Sequence, residues 1–324
     1  MANLINELPE WCRKDFVYFQ DTFKFTPEDK ILTWNDHLFL PQFHPQTVAY
    51  AFGNHEPKEN EVMIAGCAKT GTTWTREIIR QILYGRDEKL DKMTRDITIP
   101  NLYLESCTPS KFNVMHNIPL PRRYFVTHAP AELVNLEKYK SRNIKMVYTL
   151  RNPKDRLISF FNFVKEFPLQ GGLVQFATSD WNDFFKREMI DPTPFSMMRK
   201  GETYLDHILS WLPHIKNNKN ATMIVYEEMI KNPFENTKKL SEFLEVKLSD
   251  EEINKIVKNC SIDNMKKSDM ESTSQEAMNR KAINLCGTGI IGKWKDYFTS
   301  EQSAEIEKQV EEKLEGTRIK FIYE

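Results

Sequence analysis

The chain lacks a surplus of either charge: 324 residues carry 45 Lys and Arg against 46 Asp and Glu, a formal net charge of -1. Neutralising a polyanion takes a basic excess, so nucleic acid is not expected as a partner, and with no polybasic run no anionic lipid surface is expected either. Any anion the protein handles is held locally. No stretch approaches the roughly 18 apolar residues of a membrane span, and no basic segment with an apolar run follows Met1. The chain therefore reads as cytoplasmic, without a membrane role. Cysteine is scarce: Cys12, Cys67, Cys107, Cys260 and Cys286 form no CxxC pair and are too scattered for a disulfide framework. No His, Cys or carboxylate cluster has metal-ligand spacing, so no metal is expected. Glycine is also sparse, at 11, against 40% hydrophobic and 12% aromatic residues, which places the chain among folded globular proteins rather than disordered ones.

What is present is alternation. Short apolar runs rich in Val, Ile, Met and Tyr, 61–66, 123–128, 143–150 and 221–227, predict strands buried on both faces. Between and after them, 72–84, 153–166, 201–212, 233–244, 250–258 and 300–314 predict helices. Asn152-Pro153 and Asn232-Pro233 read as N-caps followed by proline at the first helical position. Strands separated by such helices imply parallel crossovers, hence an α/β single domain with a central parallel sheet flanked by helices. Residues 1–60, without clear period, are expected to wrap the core of the 61–324 α/β unit.

The most informative segment is Ile64-Ala65-Gly66-Cys67-Ala68-Lys69-Thr70-Gly71-Thr72-Thr73-Trp74, a strand that breaks into a small, hydroxylated loop and then a helix. Backbone N–H groups at a helix N-terminus, the helix dipole, a glycine that lets the backbone approach and a lysine together make a phosphate cradle. It is P-loop-like without being GxxxxGK[ST]: Gly66 and Gly71 have the spacing, but Thr72 stands where that motif has lysine, and Lys69 precedes Gly71. A tight turn with a solvent lysine is the plainer alternative.

Lys69 to Trp74 closely resembles the phosphosulfate-binding loop of the cytosolic sulfotransferases. The resemblance continues in order along the chain. Thr127-His128 resembles the family's catalytic segment, Arg151-Asn152-Pro153-Lys154-Asp155 through Ser159 its 3′-phosphate segment, Tyr226-Glu227-Glu228-Met229 its adenine segment, and Gly289-Ile290-Ile291-Gly292-Lys293-Trp294-Lys295 its C-terminal nucleotide loop. The resemblance implies transfer of the sulfuryl group of 3′-phosphoadenosine 5′-phosphosulfate (PAPS) to a hydroxyl or amine of a small apolar acceptor, releasing 3′-phosphoadenosine 5′-phosphate (PAP). It implies His128 as base and Lys69 at the departing phosphate. It further implies nucleotide contacts from Lys69, Thr70, Gly71, Thr72, Thr73, Trp74, Arg151, Ser159 and Tyr226, and from the segment Cys286, Gly287, Thr288, Gly289.

The roles make chemical sense. A histidine with an unperturbed pKa near 6.5 suits a base. Arg151 and Ser159, eight residues apart, converge on one phosphate if the helix starts between them; Arg151 paired with Asp155 is the alternative. Four features depart from the family pattern. Gly287-Thr288 replaces an Arg-Lys pair, with Arg280 and Lys281 upstream; Val126 replaces a lysine; Ile262 replaces an aromatic; and the dimer signature keeps Lys295 and Thr299 but has Ser300 and Ala304. A homodimer is possible but not expected by that route. The departures leave a catalytically silent binding protein of the same fold as the alternative function, with a P-loop kinase as a third. Trp34 to Phe43, Tyr103 and Phe163 to Phe167 are candidate acceptor-pocket segments.

Overall fold

The computed structural model describes residues 4–17, 26–95, 97, 99–166, 173, 180–190, 197–271 and 288–324. A short antiparallel hairpin, β1 (Leu32–Trp34) with β2 (His37–Phe39), precedes the main sheet. That sheet has four parallel strands: β3 (Val62–Ala65), β4 (Tyr124–Thr127), β5 (Lys145–Leu150) and β6 (Ala221–Val225), in the order β4-β3-β5-β6. β3 and β4 are buried along their whole length, which explains why their sequence runs apolar without alternation. β6 lies at an edge and is half-buried throughout.

Because β3 is flanked by β4 on one side and β5 on the other, the chain leaves it toward one edge and later returns to the opposite one. The carboxyl end of β3 is therefore the crevice where open α/β sheets receive ligands. The helices Thr72–Tyr84, Pro153–Glu166 and Ser300–Leu314 have the predicted bounds, and Tyr204–Ile215, Pro233–Phe243 and Asp250–Asn259 differ from expectation by a few residues at their ends. Ile78, Ile79 and Ile82 of the first of these join the core beside the sheet, as do Phe39, Val48 and Phe52 of the N-terminal segment.

Two local expectations are corrected, and one helix is unanticipated. The strand predicted over 221–227 stops at Val225, and Tyr226 opens the helix Tyr226–Lys231. There the Glu227 carboxylate accepts from the Asn152 backbone N–H (3.0 Å) and side-chain amide (2.9 Å), contacts that an extended continuation would not bring about. Asn152 caps its helix as predicted, accepting the Asp155 N–H at 2.8 Å. Asn232 makes no side-chain cap. The helix Trp181–Ile190 is not among the predicted elements, although Asp180 marks its start by accepting the Asp183 N–H at 2.9 Å.

Candidate active site

At the end of β3 the chain turns where no side chain fits. A Cβ on Gly66 would lie 2.1 Å from Thr149 Oγ1 and 2.9 Å from Thr70 Oγ1. Thr70 closes the turn: its hydroxyl donates to the Cys67 carbonyl (2.7 Å) and shares a hydrogen bond with Thr149 Oγ1 (2.7 Å). Lys69 (φ +70°) and Gly71 (φ +98°) are both left-handed. Gly71 is doubly constrained, because a Cβ there would also stand 2.7 Å from Tyr226 Cδ2. As the N-cap of Thr72–Tyr84 it offers no capping side chain, so the first-turn N–H groups are left for an outside acceptor. The loop has the form of an anion cradle.

Lys69, Arg151 and Arg156 bring positive charge to this loop. Lys69 Nζ lies over the Phe163 ring at 4.7 Å. Arg151 Nη1 donates to the Lys69 carbonyl (3.3 Å), its guanidinium stacks on the Tyr226 ring at 4.3 Å, and its buried Nε has no hydrogen-bond partner. Such an orphaned donor beside an open helix N-terminus fits an anionic ligand. Arg156 Nε donates to the Ala68 carbonyl at 3.0 Å. The alternative pairing of Arg151 with Asp155 is not formed: Asp155 accepts instead from the backbone N–H groups of Gly292 (2.7 Å) and Trp294 (2.9 Å). The start of the phosphate segment is thereby tied to the C-terminal loop. Ser159 is half-buried two turns into its helix. Trp74 meets Tyr226 edge-on at 5.4 Å and donates Nε1 to the Cys260 carbonyl (2.7 Å).

His128 follows β4 and comes back onto the loop. Its Nδ1 is 2.5 Å from the Gly66 carbonyl oxygen. A carbonyl only accepts, so Nδ1 carries the proton and Nε2 keeps the lone pair. Burial lowers its pKa to about 4, with the Gly66 hydrogen bond opposing and the charges of Arg156 and Lys69 adding to the fall. The expectation of a pKa near neutrality is therefore corrected: desolvation keeps this imidazole neutral over a wide pH range.

Sequence reasoning misses the groups that hold His128 in place. Fully buried Glu105 accepts the His128 backbone N–H at 2.6 Å. His207 Nε2 donates to the His128 carbonyl (3.1 Å), its Nδ1 accepting from the Tyr148 hydroxyl (2.9 Å), and Trp211 Nε1 donates to the Ala129 carbonyl (3.1 Å). The Tyr103 ring lies 4.9 Å from the imidazole, and buried Lys111 donates to the Tyr103 carbonyl. Apart from Tyr103, already a candidate pocket residue, these supports are hidden by sequence separation, 23 residues from His128 for Glu105 and 79 for His207.

The structure thus brings the 66–74 loop, His128, Arg151 and Tyr226 together at one strand end. Thr288 is exposed, and Gly289 (φ +72°) packs so closely on Ile262 that a Cβ would lie 1.9 Å from Ile262 Cδ1. Phe167, Arg280, Lys281, Cys286 and Gly287 lie outside the described residues. Of the dimer-signature positions, Lys295 pairs with Glu324 (2.7 Å) and Thr299 caps the last helix, accepting the Gln302 N–H at 3.2 Å.

A family model described as the sulfotransferase domain matches residues 59–318. The chain belongs to the sulfotransferase family. Among curated relatives, the amine sulfotransferase of Oryctolagus cuniculus is 29% identical over 282 residues, covering 83% of this sulfotransferase and 85% of the relative. Among solved structures, mouse sulfotransferase SULT7A1 complexed with PAP superposes with a TM-score of 0.70 at 24% identity, covering 88% of this chain and 95% of that one. Retinol dehydratase in a complex with retinol and PAP gives a TM-score of 0.70 at 18% identity over 98% of both chains. The α/β layers around a parallel sheet are thus a sulfotransferase fold. Among the described residues no helix is long and apolar enough to cross a membrane.

Proposed function

We propose that this sulfotransferase uses PAPS as donor and transfers its sulfuryl group to a hydroxyl or amine of a small apolar acceptor, with His128 as base. The observation that carries the reading is the 2.5 Å contact between His128 Nδ1 and the carbonyl of Gly66, the residue that opens the phosphate loop. It fixes the tautomer whose Nε2 accepts a proton and joins the base to the anion cradle. The acceptor forms its bond to sulfur as the bond between sulfur and the phosphate oxygen breaks. Its proton passes to His128 Nε2, and the charge left on PAP is met by Lys69, Thr72, Thr73 and the loop amides.

Arg151, with its unpartnered Nε, and Ser159 are the 3′-phosphate ligands in this reading. The face of Tyr226 is taken by the Arg151 guanidinium, so Trp74 is the stronger candidate for stacking on adenine. PAP in the solved structures of both similar proteins supports the nucleotide, and the retinol of one and the amine acceptor named for the rabbit relative support a small acceptor. Calorimetric titration with PAP tests the donor site: one bound equivalent is expected. No binding at millimolar nucleotide would sink the reading in favour of a silent relative.

A further inference from the structure

Arg156 is a charged side chain with 4% of its surface exposed, set behind the loop on the same helix as Ser159 and just past Arg151. Its Nε donates to the Ala68 carbonyl (3.0 Å) and its Nη2 to Cys67 Sγ (3.3 Å). The guanidinium lies over the rings of Phe160 (4.5 Å) and Tyr204 (5.3 Å), and Nη1 faces buried Glu188 at 3.9 Å. With Arg151 on the next carbonyl, two guanidiniums grip Ala68 and Lys69 in succession. The carbonyl and the following N–H of a trans peptide point in opposite directions. Pinning the Ala68 carbonyl toward Arg156 therefore turns the Lys69 N–H away from it.

We propose that Arg156 is a positioning residue of this sulfotransferase, one that holds the phosphate loop in its nucleotide-binding form and supplies a buried positive charge behind it. The charge matters because position 126, a lysine in the family pattern, is here a fully buried valine. Arg156 and Lys69 are the cations that act on His128; Glu105, His207 and Tyr103 are the other titratable groups packed against it.

The inference rests on the nucleotide reading above, and two variants separate them. Arg156→Met is made together with Glu188→Gln, so that no buried carboxylate loses its cation; Arg156→Lys keeps the charge but loses the fork that reaches two loop atoms. Both are expected to weaken PAP binding about tenfold or more by calorimetry. The Met variant should also move the acidic limb of kcat/KM to higher pH, because a cation beside His128 is gone, whereas the Lys variant should leave that limb in place. Should the Met variant not fold, the Lys variant alone must show weaker PAP binding with an unmoved limb. PAP bound as tightly by the variants as by the wild type, or a limb unmoved in the Met variant, would overturn the role of Arg156 alone. A wild type that binds no PAP overturns the nucleotide reading and this inference with it.

Discussion

Replacing Gly71 with alanine is expected to cost about 2–5 kcal/mol, the sum of two separable effects. The first is backbone strain: at φ +98° a Cβ costs about 1–2 kcal/mol. The second is overlap, since the new methyl would stand 2.7 Å from Tyr226 Cδ2, about 1 Å inside a normal carbon contact. Tyr226 cannot easily retreat, with the Arg151 guanidinium 4.3 Å from its ring and Trp74 at 5.4 Å; overpacking of this kind costs about 1–3 kcal/mol. Gly316→Ala isolates the first effect, because Gly316 has φ +72° and nothing lies within 4 Å of where its new methyl would stand. Urea unfolding of wild type, both alanine variants, Tyr226→Ala and the Gly71→Ala/Tyr226→Ala double variant gives the full cycle. In the Tyr226→Ala background the cost at Gly71 should fall to that of Gly316→Ala. A Gly71→Ala cost equal to that of Gly316→Ala, or one unchanged by removing Tyr226, would refute the steric argument.

Other outcomes follow from the same geometry. The buried neutral histidines His55, His128 and His207 have pKa values lowered to about 3, 4 and 3, burial being the first cause of each. Unfolding takes up their protons below the ordinary value near 6.5, so stability is full above that pH and declines toward the folded values. Their three protons amount to about 4 kcal/mol per pH unit at the steepest, and urea unfolding between pH 7 and 4 that showed no decline would contradict this. The wild-type kcat/KM profile should lack an acidic limb at about pH 6.5, where an unperturbed histidine would put one. Asp155→Ala, which strips the acceptor from the Gly292 and Trp294 N–H groups, should cost roughly 2–3 kcal/mol in urea unfolding and weaken PAP binding, with Asp155→Asn milder; unchanged stability would mean that the tie is idle.

Much of this architecture can be read from the chain because its local and global signals agree. Apolar runs without alternation mark strands covered on both faces, and Asn152-Pro153 marks a helix start that does carry the expected cap. The phosphate loop is readable for the same reason: Gly66 and Gly71 sit where a Cβ would collide with Thr149 or Tyr226. The reading fails where the physics is tertiary. Tyr226 looks like the end of a strand, and only the pull of Asn152 on Glu227 shows why the backbone turns there. The basicity of His128 is set by burial and by cations far away in sequence, so its residue type alone misleads. Arg156 resembles a routine helix-surface arginine until β3 and the Pro153–Glu166 helix are brought together.

The central claim is tested most directly by following radiolabelled sulfate from PAPS onto a panel of phenols, sterols, alcohols and amines, with wild type and His128→Ala side by side. Labelled product is expected from at least one acceptor class with the wild type. None is expected with His128→Ala, although that variant is still stabilised by PAP against thermal unfolding. Transfer by the His128→Ala variant at the wild-type rate would remove His128 from the chemistry and contradict the account.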